Sequence, residues 1–201
     1  MVNQGLLKNK IDEYFKEALI VLTDSSNLAD KIGVAARMVI TSLQAGGTVY
    51  WCGNGGSAAD SQHLAAELVG KFKINRPPLR SLALTTDTSI LTATGNDFGY
   101  EFIFSRQIEA FGKANDLLVG ISTSGKSTNV INALKAGRKL GVATIVMTGS
   151  IPNEMWNLSD LYLNVPSSDT SHIQEIHILL GQLICGIAED YIFSDSSDAH
   201  S

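Results

Sequence analysis

The sequence predicts a doubly wound parallel α/β domain with a helical hairpin in front of it. Three observations carry this. Five short apolar runs recur at intervals of mostly about thirty residues, the length of a βαβ unit. The runs are continuous rather than alternating, as in strands covered by helices on both faces. The first 45 residues show helical periodicity instead.

Taken in order, Leu6, Leu7, Ile11, Tyr14, Phe15, Ala18 and Leu19 form the first helical series. Leu28, Ile32, Ala35, Ala36, Val39, Ile40 and Leu43 form the second. Asp24 to Asn27 is turn and N-cap material between them, and Gly46-Gly47 closes the hairpin. The expected strands are Thr48–Cys52, Ser81–Leu84, Leu117–Ile121, Ala143–Met147 and Leu161–Val165. A final helix opens near Asp169-Thr170 and carries Ile173, Ile176, Leu180, Ile184 and Ile187. Residues 1–193 are expected to form one domain, with 1–45 as hairpin and 46–193 as core. The tail 194–201 has no apolar anchor and is expected to be disordered.

Composition excludes several classes of function. With 201 residues, 44% hydrophobic and a formal charge of −5, the chain buries a core and does not wrap nucleic acid by its phosphates. Cys52 and Cys185 are the only cysteines and share no CxxC spacing. Disulfide frameworks and thiolate zinc sites are therefore not expected. The N-terminus is broken by Lys8, Lys10, Asp12 and Glu13 and has no signal-peptide core. The apolar stretch from Ile176 to Ala188 is shorter than the roughly 20 residues a bilayer needs. A soluble, cytoplasmic protein is the expectation.

Ligands of such sheets sit beyond the carboxyl ends of the strands. Two loops stand out there. Gly53-Asn54-Gly55-Gly56-Ser57-Ala58 joins a strand to a helix, with glycines that admit close approach and a helix start that aims N–H groups at an anion. It also fits GxGxxA, but the acidic partner of a dinucleotide site is missing. Gly120 to Ser127, GISTSGKS, satisfies the P-loop pattern GxxxxGK(S/T). No strand ends in the magnesium-binding Asp of an NTPase, however. The hydroxyls of Ser122, Thr123, Ser124 and Ser127 suit a monophosphate instead. Lys126 reads as a phosphate partner or as a solvated first-turn lysine.

His63 and Glu67 share a helix face four residues apart, as a surface pair, a core histidine or a metal pair. Gln174 and Gln182 interrupt the apolar surface of the last helix, ~80° apart around its axis. Polar groups facing a core need partners or a ligand. His177 lies ~140° from Gln182 and is not expected to act beside it. His172 reads as a helix-start residue. Asn96-Asp97-Phe98-Gly99 is a polar turn within reach of the site.

The stretches CGNGGSAADSQHLAAEL, TTDTSILTATGNDFGYE, FSRQ, GISTSGKS and VPSSDTSHIQEIHILL resemble, in order and spacing, the bacterial phosphoheptose isomerases of the sugar-isomerase (SIS) fold. The resemblance runs from about Leu7 to Phe193. It implies a five-stranded parallel α/β/α sandwich, a homotetramer, and interconversion of sedoheptulose 7-phosphate with an aldose through an enediol. It further implies substrate contacts by Asn54, Gly55, Gly56, Ser57, Glu67, Asn96, Asp97, Ser122, Thr123, Ser124, Ser127 and Gln174. Glu67 would move the carbon-bound proton. Zinc in the family is held by residues matching His63, Glu67 and Gln174 and by a final-helix His. That His falls at Gln182 here, and a family Arg falls at Lys71. Gln182 thus stands at the catalytic acid–base position. A glutamine oxygen can ligate a metal but cannot carry a proton at neutral pH, so zinc weaker or absent and turnover slower than in the family are expected. A non-catalytic relative, the DnaA initiator-associating protein, supplies the alternative of a chain that binds an initiator protein.

Overall fold

The computed structural model describes residues 3–194. Helix α1 (Gln4–Ser25) passes through one 3₁₀ turn into α2 (Ala29–Gln44). There follow β1 (Val49–Gly53), α3 (Gly56–Val69), β2 (Ser81–Ala83), α4 (Thr88–Asp97), α5 (Ser105–Phe111) and β3 (Leu117–Ile121). The chain closes with α6 (Thr128–Lys139), β4 (Ala143–Thr148), α7 (Glu154–Leu158), β5 (Leu161–Asn164) and α8 (Thr170–Phe193). Each expected strand is present, shifted by at most one residue at either end. Ser194 still closes α8, and the rest of the expected tail, 195–201, lies outside the described residues.

All five strands are parallel, in the order β2-β1-β3-β4-β5. Their side chains alternate between two cores, which explains why the apolar runs are unbroken. Val49, Trp51, Leu117, Val119, Ile121, Ile145 and Met147 face α2, α3 and α8. Tyr50, Cys52, Leu118 and Val146 face α5 and α6. Strand order turns around between β1 and β3, and α3 and α6 leave these strands toward opposite faces. The crevice between the two departing loops is where an open α/β sheet takes its ligand.

The N-terminal helices are both present, but α1 meets the body chiefly through α8. The Tyr14 hydroxyl donates to Glu175, and the Tyr14 and His172 rings lie 4.6 Å apart. Most of the apolar side of α1 is uncovered, with Phe15 71% and Leu19 63% exposed. Helix α8 is long and apolar enough to cross a membrane by length and composition. Ile173, Ile176, Leu180, Ile184 and Ala188 instead pack one side of it into the core.

Candidate functional site

The loop after β1 turns through Gly55, whose φ of +56° disfavours any side chain, and delivers Gly56 and Ser57 into the first turn of α3. A Cβ on Gly56 would stand 1.9 Å from the Gln174 amide, so this glycine exists to let α8 approach. Ser57 is buried, and its carbonyl accepts from the Ser61 hydroxyl. The loop after β3 holds Ser122 and Ser127 with their hydroxyls 2.8 Å apart. Thr123, Ser124 and Lys126 line a cavity of about 150 Å³, together with Gly149, Ser150, Ser167, Ser168 and Thr170. Six hydroxyls converge there at the N-terminal ends of α6 and α8, each long enough to carry a helix dipole.

An amide pair ties the two loops together across the crevice. Asn129, buried in the first turn of α6, donates from Nδ2 to Asn54 Oδ1 at 2.8 Å and accepts from Asn54 Nδ2 at 2.9 Å. The Tyr100 hydroxyl donates to the same Asn54 oxygen at 3.0 Å. Asn96 and Asp97 bond to each other at 2.8 Å at the exposed end of α4 and, among the described residues, form no hydrogen bond to the two loops.

Further along α3, His63 Nε2 stands 2.9 Å from Glu67 Oε1, and Gln182 Nε2 stands 3.3 Å from the same ring nitrogen. A carboxylate only accepts, so the ring donates its Nε2–H to Glu67. The Gln182 amide then fits best rotated, with its oxygen toward the ring. Packing of α3 on α8 brings these three together. Gln174, two turns earlier, lies against Gly56 and lines a cleft of about 350 Å³ with Asp60, Ser171, Glu175 and Ile178. Asp60 Oδ2 is buried there without a hydrogen-bond partner. Burial pushes its carboxyl up to about 6, with His63 opposing.

Burial holds three other titratable groups neutral. Burial pushes the Cys52 and Cys185 thiols up to about 12, so neither offers a thiolate. His177 is fully buried and pushed down to about 4 by that burial, and stays neutral. Larger hollows of about 470 and 610 Å³ open beside Asn115 and Asp116 and beside Arg80 at the β2 edge. Neither touches the two loops, so side-chain chemistry, not volume, locates the site.

Among the described residues no three His, Cys, Asp or Glu side chains cluster as a metal cage. Zinc favours three or four such donors. His63 and Glu67 supply two, and the Gln182 amide beside them is a weak third. The donor set does not fit a tightly held zinc.

Sequence reasoning missed Asp60, Tyr100 and Asn129. Asp60 lies three residues before His63 and four after Gly56, on their helix face, which was a usable signal. Asn129 and Tyr100 are recognisable only through their contact with Asn54.

A sequence model of the SIS domain matches residues 13–149. A phosphoheptose isomerase of Akkermansia muciniphila is 48% identical over 187 residues, covering 91% of this chain and 99% of that protein. One from Rhodospirillum rubrum is 47% identical, covering 94% and 100%. The structure of phosphoheptose isomerase GmhA from Neisseria gonorrhoeae superposes with a TM-score of 0.87 at 41% identity, covering 92% and 99% of the two chains. That of a phosphoheptose isomerase from Francisella tularensis gives 0.88 at 35%, covering 90% and 97%.

Proposed function

The chain belongs to the phosphoheptose isomerases of the SIS-domain family, and from that premise we propose how its site works. It converts sedoheptulose 7-phosphate to D-glycero-D-manno-heptose 7-phosphate, the opening step of heptose supply for lipopolysaccharide. The observation that carries the residue assignment is the hydroxyl-lined cavity beside the β3 loop, with a His63–Glu67 pair on the helix that follows the β1 loop, tied to it through Asn54 and Asn129.

The phosphate is held by Ser122, Thr123, Ser124 and Ser127, with helix N–H groups adding a fixed positive end. Asn54, Gly55, Gly56, Ser57 and Gln174 line the sugar's path, and Asn96 and Asp97 reach it from the rim. Glu67 takes the proton from C1 of the ketose and returns it to C2 of the enediol. The hydroxyl proton passes from O1 to O2 at the same time, leaving the aldehyde at C1. Gln182 hydrogen-bonds these oxygens but cannot carry that proton, so His63 is assigned the transfer. A positioned acid or base contributes about 10²–10⁴-fold. Any zinc is held weakly by His63 and Glu67 with the two glutamines, and no step is routed through it.

The assembly we propose is a homotetramer in the cytoplasm. The uncovered apolar side chains of α1, with Leu179, Leu183 and Ile187 of α8, support burial against further copies.

The test is NMR of sedoheptulose 7-phosphate with the purified chain, with and without zinc, beside Gln182→His. Ketose loss and aldose gain by the native chain without added zinc is the expected result. Activity confined to Gln182→His would remove the native chain from catalysis.

A further inference from the structure

One charged pair lies wholly inside the protein and away from the reacting groups. Arg76, in the loop between α3 and β2, donates from Nε to Glu189 Oε2 of α8 at 2.8 Å, with side chains 1% and 0% exposed. Glu189 also accepts from the backbone N–H groups of Phe72, Lys73 and Ile74 at 2.9, 2.6 and 3.0 Å. The other end of the guanidinium grips the last turn of α3. Nη2 donates to the Glu67 carbonyl at 2.8 Å, and Nη1 to those of Leu68 at 2.8 Å and Gly70 at 3.2 Å.

The last four carbonyls of a helix lack partners within it. Here one planar cation meets two of them, those of Glu67 and Leu68, and also complements the helix dipole. A buried ion pair is a poor device for stability alone, since apolar packing of similar volume often does as well. Its fork does offer what apolar packing cannot, fixed directions to several acceptors at once. The acceptors include the backbone of Glu67 itself. The counter-ion sits on α8, two turns beyond Gln182.

We propose that Arg76, locked by Glu189, is a positioning residue for Glu67, fixing the end of α3 against α8 so that the carboxylate meets His63 and the substrate. This rests on the reading of Glu67 as the base. A base displaced by about 1 Å can lose on the order of 10²-fold in rate.

The test compares Arg76→Lys and Glu189→Gln in the full-length chain, by kcat, KM, thermal midpoint and crystal structure. Lysine keeps the charge beside Glu189 but cannot reach Glu67 and Leu68 together. The expected result for Arg76→Lys is a kcat lowered about tenfold or more, with KM within about threefold. Its structure should show His63 and Glu67 out of hydrogen-bonding reach. Glu189→Gln should lower the thermal midpoint more than it lowers kcat, because Arg76 keeps its hold on α3. An unchanged kcat in Arg76→Lys, or parallel losses of midpoint and kcat in both variants, overturns the proposal. So does failure of both to fold, which would make the pair a folding staple only. If the native chain itself is inert, Glu67 is not a working base. The Arg76→Lys structure then decides position alone, a retained His63–Glu67 bond counting against the proposal and a lost one for it.

Discussion

Asp60 shows how burial alone makes a carboxyl hold its proton more tightly. Its ordinary value of 3.8 rises to about 6 in the folded chain, so between these values the native state holds the proton more tightly than the unfolded one. The stability this contributes is present below about 3.8 and is lost as pH rises through about 6. Asp60→Asn removes the titration. It should gain stability over the native chain at pH 7.5 relative to pH 5, by about 1.4 kcal/mol. Urea unfolding at the two pH values measures this, and an equal difference at both would contradict it. Gly56 makes a second residue-scale case. Gly56→Ala drives a Cβ into the Gln174 amide, so KM for the sugar phosphate should rise at least tenfold with little change in thermal midpoint. Steady-state kinetics and a melting curve read the two effects separately.

The joint between the two loops is a matter of elements. Asn54 follows β1 and Asn129 opens α6, and their paired amides hold the loops at one separation. Asn129→Ala leaves the Asn54 amide without its buried partner, at a cost of about 1–3 kcal/mol. Looser loops should raise KM about tenfold while kcat falls less, because His63 and Glu67 stand on α3 beyond the joint. A fall in kcat alone would contradict this. At this scale the sequence was readable wherever a pattern was local. Unbroken apolar runs located all five strands, and helical spacing located α1, α2 and α8. His63 and Glu67 could be paired because they lie one helical turn apart. Arg76 with Glu189 and Asn54 with Asn129 join residues 113 and 75 apart. No periodicity marks such partners, because only the packing of α3 on α8 and of α6 on the sheet brings them together. The contact of α1 with α8 likewise joins Tyr14 to His172 and Glu175, and the hairpin pattern marks Tyr14 but neither of its partners.

For the whole molecule, the fold fixes one crevice and leaves one apolar side open. The exposed Leu6, Leu7, Ile11, Phe15 and Leu19 lie on α1, and their burial by other copies is what the proposed tetramer requires. Phe15→Glu combined with Leu19→Glu should shift sedimentation from tetramer toward smaller species. An unchanged sedimentation coefficient would place the interface elsewhere. In the proposed reading the same architecture orders the chemistry, with the phosphate at the α6 and α8 N-termini and the proton-transfer pair further along α3. The most direct measurement is proton exchange during turnover in deuterium oxide, comparing the native chain with Glu67→Gln. The native chain should form aldose from sedoheptulose 7-phosphate with deuterium entering at the transferred position, and Glu67→Gln should lose about 10²–10⁴-fold of both exchange and turnover. Undiminished exchange in Glu67→Gln would contradict the assignment of Glu67 as the base.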